Sequence, residues 1–181
     1  MDKKSQKKPM PQRKDFDIRI TSDGQWIHEG GLIKRQKLVA LFATVLSCDD
    51  SGQHWLHTPV EFGTVEVEDA AFILTALRVE EVAGDQVLIF TDNIEREYQL
   101  GEAYHLVIEA DEKQQPKPYL SLDKGVWAKL SHPVYYQLAE HAQTDAQTGE
   151  LGVYSAGMFF SLERFSRRRN PPHQLTGGQD G

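Results

Sequence analysis

A run of local patterns occurs twice along the chain, and the second run keeps register with the first. Gly24-Gln25-Trp26 matches Gly125-Val126-Trp127 at an offset of 101 residues. After a net shortening of four residues the offset becomes 97, and Leu41 then meets Leu138, Gly52 meets Gly149, Phe62 meets Phe159 and Glu66 meets Glu163. Identities this sparse carry less weight than the turns, helix and strands that stay in step around them. A chain of this kind is expected to be α+β, with two related ββαββ units and mostly antiparallel sheets. Two copies of one unit tend to pack as pseudo-symmetric partners, and their junction is a natural cleft for a ligand.

The elements of each copy follow from periodicity. Asp17-Ile18-Arg19-Ile20 alternates with period two, and Ser22-Asp23-Gly24-Gln25 is a turn, because Asp-Gly supplies the positive φ that a tight hairpin needs. The chain returns through Trp26 to His28. A helix follows, with Leu38, Leu41, Phe42, Val45 and Leu46 on one face. Strands are expected at Gln53 to Thr58 and Gly63 to Glu68, joined through Pro59-Val60-Glu61. In the second copy a hairpin at Tyr119 to Leu122 and Val126 to Lys129 precedes a helix. Ser131 is its N-cap, and Val134, Tyr135, Leu138 and Ala142 form its inner face. Leu151 to Ser155 and Met158 to Glu163 close that copy.

Residues 71–118 have no counterpart in the first copy and enlarge the second domain. A long strand from Phe72 to Val79 turns at Ala83-Gly84-Asp85 into Gln86 to Thr91. Tyr98 to Leu100 and His105 to Glu109 read as a further pair around Gly101, and Asp111 to Pro118 as a polar loop. The domains are therefore placed at 15–70 and 71–166. Residues 1–14 and 167–181, rich in Lys, Gln, Pro and Gly without periodicity, are expected to be disordered tails.

Charge and cysteine usage narrow the partners. The formal net charge of −7 is unevenly placed, with +5 in residues 1–14 and −14 in residues 15–162. An acidic body repels nucleic acid, so no specific nucleic-acid partner is expected. Cys48 is the one cysteine, which excludes a disulfide framework within the chain and makes a cytoplasmic address the default. No apolar run is long enough for a membrane span. His54 and His57 are three apart in a strand and point to opposite faces, and no His-Glu-x-x-His pattern accompanies them, so no metal is expected. Cofactor loops and nucleophile elbows are absent as well, and the chain reads as non-catalytic. A hydrolase using Glu66 and Glu68 is the enzymatic alternative.

The segments that break strands or open helices are the candidate cleft residues. Arg35 opens the first helix, Thr58 and Glu61 flank Pro59, Asp69 follows a strand, and Thr91 and Asn93 end another. Trp26 and Tyr119 are candidates for an apolar wall, with core packing as the other reading of Trp26.

Taken in order, these segments resemble a known proteobacterial family. They are Asp-x-Arg-Ile-x-x-Asp-Gly-x-Trp-x-His-x-Gly at 17–30, Arg35 with Leu-Val-x-Leu-Phe at 38–42, Thr-Pro-Val-Glu at 58–61, Val-Glu-Asp-Ala at 67–70, Phe-Thr-Asp-Asn at 90–93 and Pro-Tyr-Leu at 118–120. The family is the one catalogued as domain of unknown function twelve-eighty-five, and the resemblance covers residues 17–163. It departs from the family pattern at Leu32, Ala71 and Asp92. The resemblance implies a duplicated core whose C-terminal part is superficially pleckstrin-homology-like, a ligand site at the domain interface for a nucleotide-like molecule, and a part in signalling. The expected function is that of a regulatory or sensor protein with a small ligand in its interdomain cleft. A protein–protein interaction module without a small ligand is the alternative.

Overall fold

The computed structural model describes residues 8–169. The first half holds β1 (Gln12–Arg13), β2 (Ile18–Ile20), β3 (Trp26–His28), β4 (Gly31–Leu32), α1 (Gln36–Thr44), β5 (Leu46–Cys48), β6 (His54–His57) and β7 (Glu61–Val67). The second holds β8 (Phe72–Val82), β9 (Asp85–Asp92), β10 (Glu97–Gln99), β11 (Leu106–Ala110), β12 (Pro116–Ser121), β13 (Trp127–Leu130), α2 (His132–Glu140), β14 (Gln143–Thr144), β15 (Leu151–Ser155) and β16 (Met158–Ser161). No helix among the described residues is long and apolar enough to cross a membrane.

The duplication is visible in these elements. Strands β5, β6 and β7 begin 97 residues before β14, β15 and β16, and each helix has nine residues. Cross-strand partners repeat too. Trp55↔Thr64, Leu56↔Gly63 and His57↔Phe62 in the first half become Gly152↔Ser161, Val153↔Phe160 and Tyr154↔Phe159 in the second. Gly24 and Gly125 both hold positive φ, 78° and 74°, in the turns that lead to the paired tryptophans. Gly24 is also pressed against the second half. A Cβ there would lie 2.8 Å from Ile73 Cγ1, so a larger residue would push the halves apart.

The hairpins are assembled differently in the two halves. In the first, both belong to one sheet of order β4-β3-β2-β7-β6-β5, closed by the parallel pair β2–β7, with β1 also on β7. In the second, β12–β13 enters a six-stranded sheet, β10-β9-β8-β13-β12-β11, while β14-β15-β16 forms a sheet of its own. The β8–β9 hairpin separates them. β13 pairs in parallel with β8, and β15 packs against β9, where the Leu88 amide donates to Ser155 Oγ at 3.0 Å. Buried residues of both halves, from Ile20, Trp26 and Leu56 to Phe72, Leu88 and Leu138, form one contiguous core.

Four expectations are corrected. Helix α1 ends at Thr44, and it buries Val39 and Ala43 rather than Leu38 and Leu41. Leu46 pairs with Leu56 in β5–β6, so it enters the core from a strand and frees the helix to turn its small face inward. Cys48 ends β5. Second, β10 and β11 do not pair, but lie on opposite edges of the six-stranded sheet. The buried Asp92 carboxylate takes the amides of Ile94 and Arg96 and the Tyr98 hydroxyl, which folds β10 back onto β9. Third, the expected loop 111–118 contains the start of β12. Its prolines are tolerated because the ladder to β13 begins only at Tyr119.

Fourth, part of each expected tail is ordered. The amides of Gln12 and Lys14 donate to the carbonyls of Val60 and Phe62 at 2.9 and 2.8 Å, laying β1 along β7. Gly63 makes this approach possible, since a Cβ there would lie 2.1 Å from the Lys14 carbonyl oxygen. At the other end, Arg168 is tied to Glu109 and Asp69. The rest of the tails, 1–7 and 170–181, lies outside the described residues.

Candidate functional site

The seam between the halves is organised around Asp69. Alternation along β12 and β13 puts Lys117, Tyr119, Trp127 and Lys129 on one face of the six-stranded sheet, opposite the main core. The chain leaving β7 crosses this face, and the Asp69 carboxylate meets it. It accepts the Tyr119 hydroxyl at 2.7 Å, Lys129 Nζ at 3.1 Å and Arg168 Nη2 at 3.1 Å, with Lys117 Nζ at 3.8 Å. Burial pushes the Asp69 carboxyl upward, but the hydrogen bonds from Tyr119 and Lys129 and the charges of Lys129 and Arg168 outweigh it and hold it below the usual carboxylate range. The same surroundings raise the Tyr119 phenol, through burial first and then through its bond to Asp69.

Arg168 fastens the C-terminal arm over this network. Its Nη1 donates to the Asp69 carbonyl at 2.9 Å, and its Nε donates to Glu109 Oε1 at 3.2 Å. The guanidinium carbon lies 3.7 Å from the centre of the Tyr119 ring. Stacking, two carboxylates and a carbonyl together use the planar fork of arginine in a way that lysine cannot reproduce.

Beside this network is an open cleft of about 530 Å³, with walls from both halves. Ser51, Gly52, His54 and Asp69 come from the first half, and Glu109, Trp127, Arg168 and Arg169 from the second. The β5–β6 turn is shaped by Asp49, whose carboxylate accepts Ser51 Oγ, the Ser51 and Gln53 amides and Trp55 Nε1. These bonds, Ser51 Oγ and Trp55 first, hold Asp49 down to about 2. Burial, helped by the charge of Arg168, lowers His54 to about 4, so a neutral imidazole faces the cleft at neutral pH.

Of the eight residues singled out from the sequence, the structure joins Asp69 and Tyr119 directly and places only Asp69 in the cleft wall. Trp26 is a core residue stacked 6.2 Å from Phe42. Arg35 is exposed at the start of α1. Thr58 and Glu61 belong to one turn, where Thr58 Oγ1 accepts the Glu61 amide at 2.9 Å, and Glu61 pairs with Lys14. The Thr91 carbonyl accepts Thr75 Oγ1. Asn93 joins the halves away from the cleft, accepting the Ile73 amide at 3.1 Å and donating to the Gly24 carbonyl at 3.3 Å. Sequence reasoning missed His54, Glu109, Arg168 and Arg169. The one available signal was the Arg167-Arg168-Arg169 run, assigned to a tail.

Other polar groupings on the same face are less open. Ser121 Oγ lies 2.8 Å from His105 Nδ1, a serine–histidine contact, but Ser121 is only 7% exposed and its oxygen also accepts the His105 amide. Glu68 receives the Ser22 amide and pairs with Arg19, which makes it a structural partner of the first hairpin. Among the described residues no three His, Cys, Asp or Glu side chains converge as a metal site would require.

The domain of unknown function DUF1285, N-terminal domain, matches residues 6–70, and the protein of unknown function DUF1285, C-terminal domain, matches residues 71–162. The chain belongs to the DUF1285 family. The boundary between the two DUF1285 domains falls between Ala70 and Ala71, where the chain passes from Asp69 into β8. A DUF1285 crystal structure from Silicibacter pomeroyi is similar, with 30% sequence identity and a TM-score of 0.76 over 84% of this chain and 82% of that one. Another, from Shewanella baltica, shares 26% identity with a TM-score of 0.55 over 68% of this chain and 91% of that one. No curated protein matches the chain.

Proposed function

We propose that this DUF1285 protein is a regulatory or sensor protein that binds a small, nucleotide-like anion in the cleft beside Asp69. The observation that carries the reading is the origin of the cleft walls, which come from both halves and meet only in the folded chain. A ligand seated there bridges the halves and reports on their arrangement, which is what a sensor requires. Trp127 and the neutral His54 supply flat walls for a ring, and the exposed Arg169 supplies a charge for a phosphate. Arg168 is already committed to Asp69 and Glu109, so it shapes the wall. A cytoplasmic, signalling role belongs to the same reading.

The test is thermal denaturation against a panel of nucleotides and related metabolites. At a hundredfold excess over Kd, a true ligand raises Tm by roughly 5–10 °C. The rise is lost in Arg169→Ala and retained in Arg35→Ala, whose side chain lies outside the cleft wall. A flat panel removes the proposal. A protein-interaction role is the second reading, favoured by the apolar outer face of α1, where Leu41 is 61% exposed. A monodisperse monomer that captures no partner through Leu41 counts against it.

A further inference from the structure

A second cavity, about 380 Å³, opens where the first hairpin turn, the start of β12 and the start of α2 meet. It shares no lining residue with the cleft beside Asp69. Its volume falls within the range of small-molecule sites. Apolar surface comes from Ile73, which pairs with Lys129, and from half-buried Pro116 and the ring of Tyr135. Two lysines stand on the same lining, and they are not equivalent. Lys129 is spent on structure, donating to the Ser22 carbonyl at 2.9 Å and to Asp69 at 3.1 Å. Lys117 is 3.8 Å from Asp69 and 42% exposed, so it feels a carboxylate but keeps its hydrogen-bond donors available. Tyr135, on the lining from α2, has no hydrogen-bond partner for its hydroxyl among the described residues.

An apolar lining with one ammonium held only by a long ion pair to Asp69 and one phenol without a hydrogen-bond partner among the described residues matches a particular ligand chemistry. We propose that this cavity binds a small amphipathic anion, with its apolar body against Ile73, Pro116 and the Tyr135 ring and its carboxylate or phosphate at Lys117 and the Tyr135 hydroxyl. A neutral ligand would leave the ammonium with only its long contact to Asp69. A cationic one would meet Lys117 and Lys129 against Asp23 alone. Because both halves line the cavity, through Ser22 and Asp23 on one side and β12 and α2 on the other, an occupant also bridges the seam.

The test uses the full chain, isotope-labelled for amide NMR, titrated with octanoate, octyl phosphate, 1-octanol and octylamine. The expected result is saturable shifts at Ile73 and across residues 129–135 with the two anions, with Kd below about 1 mM and at least about tenfold weaker binding of the alcohol and the amine. Lys117→Gln weakens octanoate by about tenfold with a Tm within about 2 °C of the parent chain, and Lys117→Arg restores most of it. Equal affinity for octanol and octanoate overturns the proposal, as does Lys117→Gln binding like the parent chain. Association with phosphatidylglycerol vesicles in the absence of any shift with monomeric octanoate also overturns it. Loss of nucleotide binding in the cleft leaves these shifts unchanged, so the two sites fail separately.

Discussion

The two helices stand at equivalent places in the duplicated halves and, counted at the offset of the strands that follow them, bury opposite faces. Leu41 of α1 and Leu138 of α2 correspond at the offset of 97, yet Leu41 is 61% exposed and Leu138 fully buried. Val39 and Tyr136 correspond as well, and there the order reverses, with 7% against 68% exposure. The strands after each helix keep the 97-residue register, whereas the helices begin and end 96 residues apart and their buried pairs, Val39 with Ala43 and Val134 with Leu138, lie 95 apart, so each helix is turned relative to the strands that follow it. The cause is the β8–β9 hairpin. In the second half α2 packs on β8 and β15, and these decide which side is covered. In the first half no such hairpin intervenes, β2 closes directly on β7, and α1 meets the core through Val39, Ala43 and the stack of Phe42 on Trp26. A duplicated sequence thus transmits hairpins and their registers. It does not transmit the face that a helix presents, because that depends on its cover.

Substitutions at paired positions test this most sharply. The largest effect is expected at the paired tryptophans. Trp26→Ala should cost about 3–5 kcal/mol in urea unfolding, and Trp127→Ala, in a small cluster at the cleft, about 2. Equal losses would mean that the two positions are equally central. Next, Leu138→Ala should cost about 2–4 kcal/mol and Leu41→Ala no more than about 0.5. A large loss at Leu41 would break the contrast between the helices.

The pH dependence singles out the first half's contribution to the cleft. The folded pKa of His54, about 4, lies below its ordinary value of 6.5, so the unfolded chain binds the proton more readily between them. Stability is full above pH 6.5 and falls by about 2 kcal/mol as the pH drops toward 4. His54→Gln should flatten that window in pH-dependent urea titrations. Asp69, lowered in the fold, works in the same direction at more acid pH, with its contribution lost as the pH falls below the ordinary carboxylate value through its folded pKa. The smallest effect concerns the seam itself. Asn93→Ala removes the bonds to Ile73 and Gly24 and should lower stability by about 1 kcal/mol, read as a drop of about 2–4 °C in Tm. No change would mean that the seam is held by apolar packing alone.

The residues that were legible are those whose role is local. Gly24, Gly52, Gly125 and Gly149 mark turns because each needs positive φ, and period-two alternation marks β2 wherever its neighbours lie. The α+β class and the repeated unit follow from such features. The site was legible only through Asp69 and Tyr119, two residues that the seam brings within 2.7 Å. Asp92, a departure from the family pattern, proved to be a buried hub whose partners follow it within six residues, a local role that charge alone conceals. His54, Glu109 and Arg168 could not be grouped from the sequence, because the start of β6, an edge strand and a C-terminal arm meet only when two sheets pack. Tertiary structure alone decided the sheet to which each hairpin belongs, the face that each helix buries and the residues that line the clefts. Backbone conformation is selected within a few residues, whereas burial is selected by whatever distant surface arrives to exclude water.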